Sequence, residues 1–104
     1  SIGATALEAM SCKKPILISV DNELHDKIYH DKIPAMQVIN PTDVSNELEI
    51  LKDAKKRNEV GEKSRDWVLR NHSPDVVIGK LKMIYENIMN DTKIDEIRGK
   101  LRTM

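Results

Sequence analysis

Apolar residues along the chain fall into two short continuous runs set among stripes at helical spacing. Ala4, Ala6, Leu7, Ala9 and Met10 are good helix formers or small contact residues, and they predict a helix from about Ala4 that Pro15 stops. The run Ile-Leu-Ile-Ser-Val at 16–20 reads as a buried strand. Leu24, Ile28 and Tyr29 then fit one face of a short helix, with polar residues elsewhere. Ile33-Pro34 breaks that pattern, and Met-Gln-Val-Ile-Asn at 36–40 reads as a second short strand bounded by Pro41. Thr42-Asp43 is a good helix start, with Val44, Leu48 and Leu51 as its buried stripe.

Residues 52–57 read as a charge-rich solvated corner, because Asp53 and Glu59 interleave with the basic residues. A helix over about 58–71 places Val60, Ser64, Trp67 and Val68 on one face, so Trp67 is expected as a core or interdomain anchor and Arg65 and Arg70 as surface groups. Ser73-Pro74-Asp75 predicts another helix start, with Ser as N-cap and Pro at the first position. Its stripe is Val77, Leu81, Ile84 and Ile88, widened by Ile78 and Tyr85. The tail at 91–104 carries Ile94, Ile97 and Leu101 at helical spacing and ends basic. It is expected to pack on a neighbour as an amphipathic helix; with three apolar residues and Gly99 it would be a weak membrane anchor.

Composition narrows the classes. The 104 residues make one domain at most. Seventeen basic and 17 acidic residues cancel, which gives no electrostatic case for nucleic acid. The aromatics are Trp67, Tyr29 and Tyr85 alone, too few for a base-stacking platform. Cys12 has no partner for an intrachain disulfide, so a reducing cytoplasm is the expected setting. His25 and His30, with Glu23, Asp26 and Asp31, invite a metal reading, but the histidines are five apart where one helix face needs four. They are expected as titrating surface histidines on a solvated helix, and no metal site is assigned. The chain opens inside a motif and without an initiator Met, and is read as the C-terminal piece of a longer one.

The chemistry sits in the opening, Ser1-Ile-Gly-Ala-Thr-Ala-Leu-Glu-Ala-Met10. Gly3 allows close backbone approach, and a helix starting there offers free N–H groups and a dipole that favour an anion such as phosphate. Glu8 lies about one turn further in, where a carboxylate can accept hydrogen bonds from sugar hydroxyls. The string G-x-x-x-L-E-A-M-x-x-x-x-P-I-L-I-S resembles the nucleotide-binding segment of the retaining glycosyltransferases with two facing Rossmann-like domains, the family-four or group-one type. Gly3, Ala4 and Thr5 match that family's diphosphate-binding turn, and Glu8 matches its ribose-binding glutamate. A further family glutamate, eight positions before Glu8, would fall one residue before Ser1. Lys13-Lys14 stands where Cys-Gly or Thr-Gly is usual. The stretch from Gly61 through His72-Ser73 to Ile88 resembles the family's closing helices, so the resemblance covers residues 1 to about 90.

The resemblance implies an α/β fold, the C-terminal portion of a Rossmann-like (GT-B type) domain, helix-rich with about two parallel strands. Residues 1–90 would be a partial nucleotide-sugar-binding domain and 91–104 an amphipathic tail. It implies transfer of a sugar from a nucleotide-sugar donor to an acceptor with retention, with no resident cofactor and no catalytic residue within these 104 residues. Two readings stand beside it: a non-catalytic nucleotide-binding or structural fragment, and a sugar-nucleotide epimerase of the same fold. Two parallel strands would leave an open sheet edge. The chain alone is therefore expected to be unstable, or to pair with a missing N-terminal domain or a second copy.

Overall fold

The computed structural model describes residues 2–104. Helix α1 (Ala4–Ser11) leads to strand β1 (Leu17–Ile18), helix α2 (Asn22–Ile28) and strand β2 (Met36–Gln37). Four helices follow: α3 (Pro41–Ile50), α4 (Ala54–His72), α5 (Pro74–Met89) and α6 (Ile94–Arg102). The chain is 67% helical, and its α/β character rests on one pair of parallel strands joined through α2. Leu17 pairs with Met36 and Ile18 with Gln37, and the ladder is extended by Met36 N–H to Ile16 O and Val38 N–H to Ile18 O, both 3.0 Å. Both strands are shorter than the five-residue runs suggest. With no third strand among the described residues, the outer edges find no ladder partner, and Ile39 at the end of the second run is 91% exposed.

Local signals set most helix ends. Asn40 caps α3 and Asp43 reciprocates in a capping box, with Pro41 at the first position, so this helix starts two residues earlier than Thr42-Asp43 implied. Asp53 accepts from the N–H groups of Lys55 and Lys56 and starts α4. The charged stretch at 52–57 is thus mainly the first turn of a helix and not a connecting corner. Arg57 turns back to the free carbonyls of Leu51 and Lys52 at the end of α3. Ser73 is the N-cap of α5 by position, but its hydroxyl makes no capping hydrogen bond. The end of α1 is set before Pro15. Lys14 N–H bonds Ala9 O and Lys13 N–H bonds Met10 O, a Schellman closure with Lys13 in the left-handed region at φ 61°.

The core lies where α1 crosses α4 and the strands and the 29–35 segment fold against them. Met10, Ile33 and Trp67 are buried, with Ile2, Leu7, Ile16, Val20, Tyr29, Ala35 and Val68 packed around them. Gly61, Ser64 and Trp67 follow one another at i, i+3, i+6 on α4 and are its buried residues. The two small ones let the end of α1 come close: a Cβ at Gly61 would collide with the Lys13 carbonyl. Trp67 is thus the core anchor its face implied.

Three readings of which face is buried are overturned as well. In α2 the buried residue is His25, at 5% exposure, while Leu24 and Ile28 are 42% and 53% exposed. The imidazole is taken inward because it has partners there, and only His30 behaves as the expected surface histidine. The stripe of α3 is open, with Val44 and Leu48 exposed and no extensive contact to another element. On α5, Val77, Leu81 and Ile88 are likewise exposed, and only Ile84 of that stripe is half-buried. Both stripes have amphipathic spacing, but nothing among the described residues covers them.

Candidate functional site

Helix α1 turns two faces. Leu7, Ala9 and Met10 look inward, whereas Ala4, Thr5 and Glu8 lie together on the exposed face at i, i+1 and i+4. Gly3 is the N-cap, with φ −73° and ψ 161°, an extended conformation open to any residue. A Cβ there would meet nothing within 4 Å, so neither conformation nor packing within the chain requires glycine at this position. Among the described residues no side chain caps the helix, and its first turn carries no acid, so the N–H groups that open α1 have no side-chain partner there. Among the described residues the Glu8 carboxylate enters no ion pair; only its backbone carbonyl is used, by the Ser11 hydroxyl at 2.7 Å.

The fold places this end of α1 beside the C-terminal end of β1. Ile2, immediately before the helix, lines a small concavity with Val20, Asp21, Leu24 and His25, where β1 runs into α2. A wider groove of about 480 Å³ opens at the same end of the sheet, lined by Ser19, Val38, Ile39, Asn40, Pro41 and Val44. The carboxyl end of parallel strands is where open α/β sheets receive ligands. The four residues Gly3, Ala4, Thr5 and Glu8 thus share one open face at that end, but no enclosed cleft gathers them.

A second group of chemically active side chains escaped the sequence reading. His25, Tyr29, Trp67 and His72 form one aromatic cluster, with ring centroids 4.9 Å apart for Tyr29–Trp67 and 5.5 Å for Trp67–His72. The Tyr29 hydroxyl and His72 Nε2 are 2.7 Å apart. Trp67 Nε1–H donates to Asp31 O at 2.7 Å, and the Asp31 carboxylate accepts from Arg70 at 2.6 Å and from Asn71 at 3.1 Å. The Arg70 guanidinium, first of all by hydrogen bonding, holds the Asp31 carboxyl below its ordinary value of 3.8. Burial lowers His72 from 6.5, with the nearby Lys80 charge adding to it, and burial raises the Tyr29 phenol. These hydrogen bonds bridge 36 to 43 residues of sequence, beyond the reach of helical periodicity.

No family model matches the chain, and no curated protein or solved structure matches it either. Among the described residues no helix is long and apolar enough to cross a membrane.

Proposed function

We propose that the chain is the donor-binding C-terminal part of a retaining GT-B type glycosyltransferase working in the cytoplasm, and that it holds the diphosphate and ribose of a nucleotide sugar. The observation that carries this is the free, uncapped start of α1 at the carboxyl end of β1, with Thr5 and Glu8 on the same exposed face. As the glycosidic bond to the donor breaks, charge builds on the departing diphosphate. Fixed N–H dipoles at Gly3, Ala4 and Thr5 would stabilise that charge without reorganising, and the Thr5 hydroxyl would add one donor. Glu8, whose carboxylate enters no ion pair among the described residues, would accept from the ribose hydroxyls. The acceptor of the sugar would be chosen by the N-terminal domain.

The test is a thermal-shift titration with uridine, guanosine and adenosine diphosphates, repeated on Glu8→Ala. The cognate nucleotide is expected to raise the melting temperature of the wild type. Removal of the ribose contact should weaken binding by about 1–3 kcal/mol. No shift with any nucleotide at millimolar concentration would leave a second reading, an interaction module. That reading draws support from the uncovered apolar faces of α3 and α5.

A further inference from the structure

The segment between α2 and β2 is held to α4 by groups that respond to protons. Ile33 N–H donates to His25 Nε2 at 3.2 Å, which fixes His25 as an acceptor at that nitrogen and places its proton on Nδ1. An imidazolium carries hydrogen on both nitrogens, so a charged His25 loses this bond and faces the Ile33 N–H with a donor. From α4, His72 meets the Tyr29 hydroxyl. The Trp67 indole, fully buried, contacts both rings, stacked at 6.3 Å on His25 and tilted at 5.5 Å on His72.

We infer that His25 and His72 form a proton-operated latch: their neutral rings clamp residues 29–33 onto α4 around Trp67, and protonation of the pair releases that segment. The charged and titratable groups facing the pair are few. Asp31 is near His25, but its carboxylate is already engaged by Arg70 and Asn71. Asp21 shares the small concavity with His25 and caps α2 through Leu24 N–H. Tyr29 touches both rings, and Lys80 on α5 approaches His72. Lys80 and burial both oppose a charge on His72. Below pH 6.5 the unfolded chain therefore binds more protons at this site than the folded one. The stabilisation is complete above that pH and is lost as the pH falls toward the folded value. The released segment leads directly into the amino end of β2, so the entry to that strand loosens with it.

Trp67 is the only tryptophan, so its emission reports on the latch alone. Lowering the pH of the 104-residue chain from about 7.5 to about 5 is expected to shift Trp67 emission to the red and raise its quenching by iodide severalfold, with far-UV circular dichroism largely retained. The double variant His25→Gln/His72→Gln should lose this transition, while His30→Gln, at an exposed position, should keep it at the wild-type pH. The inference is overturned if the wild-type emission stays fixed down to pH 5 or if the double variant makes the same transition at the same pH. Should the double variant fail to fold, nitrogen-15 NMR of the wild-type imidazoles decides. His25 protonated at Nδ1 and bare at Nε2 at pH 7.5 supports the latch, and His25 protonated at Nε2 refutes it.

Discussion

Replacing Gly61 by Ala sets two known effects against each other at one position. In the interior of a helix, Ala is favoured over Gly by about 0.8–1.0 kcal/mol, so α4 on its own would gain. The added methyl, however, would fall inside contact distance of the Lys13 carbonyl oxygen and 2.9 Å from the carbonyl carbon. Both atoms are backbone, so no rotamer change relieves the clash. The end of α1 cannot drift away cheaply either, because Met10 is fully buried and Arg65 of α4 donates to Ser11 O at 2.6 Å. Overpacking costs about 1–3 kcal/mol, and a rigid partner puts this site at the upper end. The net expectation is a loss of about 2 kcal/mol, or roughly 8–16 °C in melting temperature for a domain of this size. Thermal and urea unfolding followed by circular dichroism measures it. Gly79→Ala in α5 and Gly99→Ala in α6 supply the control, since a Cβ at either meets nothing within 4 Å. Each should stabilise by up to about 1 kcal/mol. If Gly61→Ala melted at or above the wild type while the controls rose, the close crossing of α1 and α4 would be refuted.

Three further outcomes follow from the same contacts. Lys13→Gly should stabilise by about 1 kcal/mol in urea unfolding, because a side chain in the left-handed region is strained and glycine is not. Met10→Ala should cost about 2–5 kcal/mol, whereas Leu81→Gln on the open face of α5 should stay within about 0.5 kcal/mol of the wild type. Asp31→Asn should flatten the fall of stability in acid. Arg70 depresses the Asp31 carboxyl, so its contribution is present above pH 3.8 and lost as the pH falls below that value through the folded one, and unfolding midpoints between pH 5 and pH 2 would show whether the slope changes.

Periodicity and punctuation were enough to read the order of elements. Ser73-Pro74 marks a helix start, Thr42-Asp43 puts the start of α3 two residues late, and the two apolar runs give the two parallel strands in sequence. Trp67 as an anchor was legible because Val60, Ser64, Trp67 and Val68 share one face. What stayed hidden depends on pairs distant in the chain. The inward turn of His25 needs the Ile33 amide and the Trp67 ring, neither of which lies on the face of α2 that Leu24 and Ile28 define. The need for glycine at position 61 is invisible locally, because the atom it makes room for belongs to residue 13. At the proposed donor site, the opening string foretold a helix start, and the exposed set of Ala4, Thr5 and Glu8 follows from its period. The free conformation that Gly3 permits is not used, since its φ is −73°.

The stripes of α3 and α5 show what an amphipathic pattern does and does not imply. Spacing says that a face gains by burial; it does not say that this chain supplies the cover. A globular monomer of 11.9 kDa exposes about 5,900 Å², and this chain exposes 7547 Å². The surplus of about 1,600 Å² is roughly twice what one partner contributes to a standard protein–protein interface. Its radius of gyration, 16.4 Å, also exceeds the ~13 Å of a compact chain of similar length. Ile78, Leu81, Tyr85 and Met89, between 43% and 82% exposed, account for part of that surface along one side of α5. On the proposed reading this is the face that an N-terminal domain or a second copy would cover. Leu81→Gln should then leave the isolated chain's stability nearly unchanged and weaken its association. Those two readouts separate a face that serves assembly from one that serves folding.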